Sequence, residues 1–213
     1  MEEDFSVLDK STNLEKIKSF FTRNKKKIII LISGFFILLL IYFAYDEIEN
    51  RNKIKIANQF NISKMKFISG DKKNLKKNMV EIIQAKDKTY SPLALYFLID
   101  NKIVNSKKEI NNYFDLLIYD TKLDKEIKNL IIYKKGLYNS EFETENNLLK
   151  ILNPVINSDS IWKSHALFLL GEYFYSKNEK QKSKEFFEKI LIFDESNQKI
   201  KVEAQKRIQS DFN

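Results

Sequence analysis

Chemistry needs nucleophiles, bases or metal ligands at workable spacing, and this chain of 213 residues offers few. His165 is the single histidine and cysteine is absent. A metal site built on several histidines is therefore not expected, nor is a Ser-His-Asp triad read around the one histidine, and thiolate chemistry and disulfides are excluded. His165 stands in "KSHALF" on a predicted helix, where a surface or groove-lining role outweighs catalysis. Glu143 and Glu145 could in principle pair as acid and base, yet their charged neighbourhood reads as a solvated surface. No glycine-rich phosphate loop is present. The expectation is a protein without catalytic residues, cofactor or metal, which binds other proteins. Trp162, His165 and Tyr173 are the candidates for lining a partner groove.

The elements that would position them are helices. Two prolines and four glycines are too few for a turn-rich β-sandwich. Helical punctuation recurs instead: Gly70-Asp71 to close one helix and cap the next, Ser91-Pro92 as cap and first turn, Ser106 with Glu109 as a capping box. Pro154 is expected to stop "NNLLKILN", and Ser158 and Ser160 precede "IWKSHALFLLGEYFYSKN". Apolar residues recur at three and four between these marks, as in Leu75, Met79, Ile82, Ile83 and in Phe114, Leu117, Ile118. The spacing predicts an all-α stack of helix pairs.

One pair carries a repeat signature. The tetratricopeptide pattern sets Leu-Gly and an aromatic on its first helix and Ala-x3-Phe on its second. Leu170-Gly171-x2-Phe174, one turn beyond Leu167, is followed here by Ser183-x3-Phe187. Gly171 and Ser183 would let two antiparallel helices approach, with Phe174 and Phe187 filling the groove. A glycine inside a helix costs about 1 kcal/mol relative to alanine, so it has a packing reason. Degenerate copies are read in "SKKEINNYFDLL", with Ile110 and Phe114 at the places of Ser183 and Phe187, and in "FETENNLLKIL", with Thr144 and Leu148 there.

Before this domain lies a run from Ile28 to Tyr45, eighteen residues without a charge. As a helix it extends about 27 Å, against a hydrocarbon core of roughly 30 Å. A buried core helix would carry a polar face, and a cleaved signal would end in small residues. "IYFAYDEIE" offers one alanine among bulky aromatics and acids, so a retained signal-anchor is expected. Without cysteine a lipoprotein anchor is not expected. Arg23, Lys25, Lys26 and Lys27 precede the run while Asp46, Glu47 and Glu49 follow it, which places residues 1–27 in the cytoplasm. The expected domains are a 1–27 cytoplasmic tail, a 28–45 transmembrane helix and a 46–213 extracytoplasmic, periplasmic repeat domain. In the tail, Thr12 and Glu15 form a capping box, and Leu14, Ile17, Phe20 and Phe21 share one face. That helix either leads into the span or lies on the anionic inner leaflet through Lys16, Lys18 and Arg23. The net charge of +8 leaves 30 basic and 24 acidic residues beyond the tail, interspersed as on a solvated helix surface. Nucleic acid is not an expected partner.

A short cytoplasmic helix with Phe20-Phe21, one span, "TYSPLAL" (Thr89 to Leu95), and Trp162 through Glu172 with Leu170-Gly171-Glu172 together resemble the YfgM-like family. The resemblance implies an ancillary subunit of the bacterial SecYEG translocon, linked to periplasmic chaperones or exported clients, in the inner membrane. Asn178 at a turn where the family often has glycine, Ser183 for a usual alanine, and the lysine-rich surface depart from the pattern. A scaffold for division, cell-wall synthesis or cytochrome assembly would use the same repeats, and an envelope enzyme lacks a residue set. A homodimer through "DEIENRNKIKIANQF", using Ile48, Ile56 and Phe60, stands beside the alternative that these side chains pack on the domain.

Overall fold

The computed structural model describes Lys16 and residues 18–212, which are all-helical with no strand among them. Residues 18–23 form a short helix, and a turn at Asn24 leads into α1 (Lys25–Ile68), 44 residues long. Thr12, Leu14, Glu15 and Ile17 lie outside the described residues. Eight further helices follow: α2 (Leu75–Gln84), α3 (Tyr90–Asp100), α4 (Lys107–Asp120), α5 (Lys125–Asn139), α6 (Glu145–Ile156), α7 (Lys163–Ser176), α8 (Lys180–Ile192) and α9 (Gln198–Asp211). The chain divides into two compact units, one up to Lys55 and one from Ile56 onward.

In the first unit, α1 contains the apolar run and is the one helix, among the described residues, long and apolar enough to cross a membrane. Its apolar window is uncovered by protein. Phe20 and Phe21 of the preceding helix are likewise exposed.

The second unit has a continuous apolar core. Leu75, Met79, Ile82 and Ile83 of α2 and Phe114, Leu117 and Ile118 of α4 are all buried in it, as their spacing predicts. Ile56 and Phe60 also face this core, Phe60 packing on Tyr90 and Phe97. Of the three apolar residues considered for a dimer face, only Ile48 remains on the surface.

Several helix ends behave as read. Gly70 adopts φ +90°, its N–H bonding Phe67 O (3.1 Å) while Asp71 N–H reaches Lys66 O (2.9 Å), which closes α1 in a Schellman motif. Ser106 Oγ accepts from Glu109 N–H at the start of α4 (3.3 Å), one half of the expected capping box, while the Glu109 carboxylate accepts from Lys76 and Tyr113 rather than returning to Ser106 N–H. Others differ, each for a local reason. Asp71 Oδ1 takes Lys73 N–H (2.9 Å) within the turn, so it does not cap α2, whose N-cap is Asn74. Asp87 Oδ1 accepts from Thr89 and Tyr90 N–H (2.9 and 2.6 Å) at the start of α3, freeing Ser91 for the core. Pro154 does not end α6, which continues to Ile156. In the last turn its missing N–H forfeits one bond only, and Asn157 N–H still reaches Asn153 O (3.2 Å).

The repeat is present in α5–α6 and α7–α8. A Cβ added to Gly171 would stand 2.6 Å from Phe187 Cε1, and Ser183 Oγ donates to Gly171 O (2.8 Å). A Cβ on Gly136 would collide with Leu152 in the same manner. Gly136 and Gly171 are 35 residues apart, as are Leu152 and Phe187. The frame proposed for "FETENNLLKIL" is thus one helical turn early. Leu148 matches Ser183 and Leu152 matches Phe187, whereas Thr144 is the N-cap of α6, accepting from Asn147 N–H (3.4 Å).

Candidate partner-binding surface

The candidate surface is built where α5 meets the first turn of α7. Ser160 is fully buried just ahead of α7; its Oγ accepts Trp162 N–H (3.1 Å) and donates to Glu126 Oε2 (2.8 Å). The same carboxylate oxygen accepts Ile161 N–H (3.2 Å). One acidic side chain in the first turn of α5 therefore pins the entry of α7. Lys163 N–H closes the turn onto Ser160 O (3.0 Å).

This clamp sets three rings together. Trp162 stacks on Tyr133 of α5 with centroids 6.0 Å apart and planes 14° from parallel. His165, one turn along α7, lies 5.2 Å from Trp162 and meets Tyr133 edge-on at 5.8 Å. All three are half-buried, and Ile161 beside them is 63% exposed. Burial lowers the His165 pKa from its ordinary value, and burial raises that of Tyr133. Both rings are neutral near pH 7. His165 Nδ1 is buried without a partner, and Asn129 Nδ2 on α5 is in the same condition. Two unpaired polar atoms on adjoining helices are a cost that native cores usually avoid.

Tyr173 is not part of this surface. It is 6% exposed, and its hydroxyl donates to Glu143 O (3.1 Å), tying α7 to the segment before α6. Leu167, Leu170, Gly171, Phe174, Ser183 and Phe187 are buried together as the repeat's packing set, with Phe174 stacked on Phe186 at 5.4 Å. Arg23, Lys25, Lys26 and Lys27 lie before the apolar run and are exposed.

Tyr133 and Glu126 were not singled out by sequence. A single tyrosine in "NLIIYKKGLYN" carries no spacing signal, and Glu126 acts through a loop 34 residues away. Gly136 did carry one, because two of the four glycines stand 35 residues apart inside helices.

A second concavity of about 710 Å³ lies between α3 and the C-terminal half of α5, lined by Tyr96, Lys102, Phe114, Lys134, Tyr138 and Phe142 among others. The Tyr96 hydroxyl is buried without a partner. Asp100 and Glu141 share the rim with the lysines, so no ligand charge is selected. Among the described residues no group of three metal-ligating side chains occurs. No protein family, curated protein or solved structure compared with the chain matches it.

Proposed function

We propose that the chain is a non-enzymatic, single-pass membrane protein whose helical-repeat domain docks other proteins through the face bearing Tyr133, Ile161, Trp162 and His165. The observation that carries this reading is the stacked Tyr133–Trp162 pair with exposed Ile161, held by the dedicated Glu126 clamp. Aromatic side chains with rigid supports are the usual energetic centres of protein interfaces.

The charge asymmetry about the span supports a cytoplasmic residue 1–27 segment and a periplasmic domain at a bacterial inner membrane. The layout shared with YfgM-like proteins favours the SecYEG translocon, with chaperones or exported clients, as the partner. The test is photocrosslinking in intact membranes from Trp162 and from Phe20. Translocon, chaperone or exported-chain adducts at Trp162 are expected. Adducts confined to division, wall-synthesis or cytochrome-assembly proteins would transfer the domain to a scaffold role. A Trp162 probe that captures no polypeptide would remove the docking face altogether.

A further inference from the structure

The positive charge of the second unit is not spread evenly. From Ile56 to Lys77 there are six lysines against Asp71 alone, while residues 78–213 hold 21 basic and 20 acidic side chains. Nearly all the imbalance therefore lies in the last turns of α1, the following turn and the start of α2. Lys76 is committed to Glu109 (3.0 Å), and Lys72 lies over the Phe67 ring at 5.5 Å. Lys64, Lys66, Lys73 and Lys77 are exposed and have no carboxylate partner among the described residues.

The same segment exposes large apolar side chains. Ile62, Met65 and Ile68 are 54%, 69% and 74% exposed. Their spacing places them on one side of α1, opposite Phe60, Ser63 and Phe67, which face the core. A helix that buries one stripe normally turns a polar side outward. Here three large aliphatic side chains stand on the outward side among exposed Asn58, Asn61 and Ser69, and Lys64 and Lys66 flank Met65 along the chain. Methionine is a side chain that adapts to varied partners.

We infer that this side of α1, Ile62, Met65 and Ile68 with Lys64 and Lys66, docks an acidic amphipathic polypeptide segment. The segment's apolar side seats on the three exposed residues and its carboxylates meet the unpaired lysines. A second copy of the chain fits less well, because it would set lysines against lysines. Single-stranded nucleic acid would want exposed rings to stack on, and the exposed residues here are aliphatic, while a duplex held by phosphate contacts would leave the three apolar side chains unused. A lipid surface would draw on the lysines as well, but the apolar set spans two turns only, with no tryptophan or tyrosine of an interfacial belt. The surface is separate from that at Trp162, so each can fail alone.

The experiment uses the full-length chain in detergent micelles and a labelled Leu/Glu amphipathic helix of about 18 residues, capped at both ends, followed by fluorescence anisotropy. Saturable binding is expected, weakened about tenfold by K64E with K66E and similarly by I62Q with Met65→Gln. K150E with K199E makes the same charge change elsewhere and is expected to leave binding unchanged. Circular dichroism establishes that each variant is folded. Absence of saturable binding by the folded parent chain overturns the proposal, as does equal weakening in the K150E/K199E control. Phosphatidylglycerol vesicles or oligothymidylate that bind in a K64/K66-dependent way, with peptide binding unmoved by K64E/K66E, would reassign the surface to lipid or nucleic acid and overturn it too.

Discussion

The α7–α8 pair and the end of α1 both bury aromatic rings, and they do so by opposite means. In α7–α8 the missing side chain of Gly171 makes room for Phe187, and Ser183 ties the two backbones together through Gly171 O. Phe174 and Phe186 then stack nearly parallel, 5° apart. At the end of α1 no glycine faces the core. Phe60 and Phe67 reach Phe97 edge-on at 6.4 and 5.3 Å, one ring at a time. The first pair turns its large apolar side chains inward, with Ile192 at the end of α8 the exception at 80% exposed. The second leaves Ile62, Met65 and Ile68 facing outward among unpaired lysines. Close backbone approach makes a self-contained repeat, whereas ring-by-ring docking makes an edge with surface to spare.

A mutant cycle on Gly171 and Phe187 tests the glycine's role in α7–α8 with the largest effect. F187A should cost about 4 kcal/mol through the cavity it opens, read by urea unfolding of the full-length chain. G171A alone should cost about 1–2 kcal/mol, since its Cβ would press on a buried ring. In the F187A background the same change should stabilise by about 0.5–1 kcal/mol, the ordinary preference of a helix for alanine. An equal cost in both backgrounds would mean that the glycine is not there for the ring.

Two buried hydroxyls differ in what they support. Ser91 Oγ donates to Ile82 O (2.6 Å) near the end of α2, where Lys86 N–H has turned to Ile83 O instead. Ser91→Ala therefore leaves a buried carbonyl without its partner and should cost about 2 kcal/mol. Gly171 O lies inside α7, where the backbone ladder also serves it, so Ser183→Ala should cost about 0.5 kcal/mol. Thermal unfolding of the two variants side by side checks the order. A larger loss for Ser183→Ala would reverse it.

The smallest effect is at His165. Its folded pKa is lowered below the ordinary 6.5 by burial, so the unfolded chain takes the proton first as pH falls. Stability is unaffected well above pH 6.5 and declines on acidification through that value and below. Unfolding midpoints at pH 7.5 and 5.5 should differ by less in H165Q than in the parent. Identical differences would show that the ring titrates as freely folded as unfolded.

Particular residues show how far reading along the chain could go. Periodicity located the buried faces of α2 and α4, because a helix repeats its inward positions whatever it packs on. Gly171, Ser183 and Phe187 were legible as a set, since close approach demands small residues at a fixed separation. The frame of the preceding repeat was read a turn early at Thr144 and Leu148. A capping threonine and a small packing residue look alike in sequence, and only contact with Gly136 separates Leu152 from Leu148. Ser91 and Pro154 misled for the same kind of reason. A serine before proline can cap or can bond across to another helix, and proline in a last turn costs too little to end it.

The all-helical class, the uncharged run from Ile28 to Tyr45 and the absence of cysteine chemistry are legible along the chain alone. These follow from local composition and period, which need no partner to be read. Tertiary structure alone decided that Tyr133 stacks on Trp162, that Glu126 holds the turn before α7, and that Tyr173 turns inward to Glu143. It alone decided, too, that of the apolar residues ending α1, Phe60 is covered while Ile62, Met65 and Ile68 are not. Each of these depends on residues roughly thirty or more positions apart, or on which side of a helix its neighbours occupy, and helical periodicity carries no information about either.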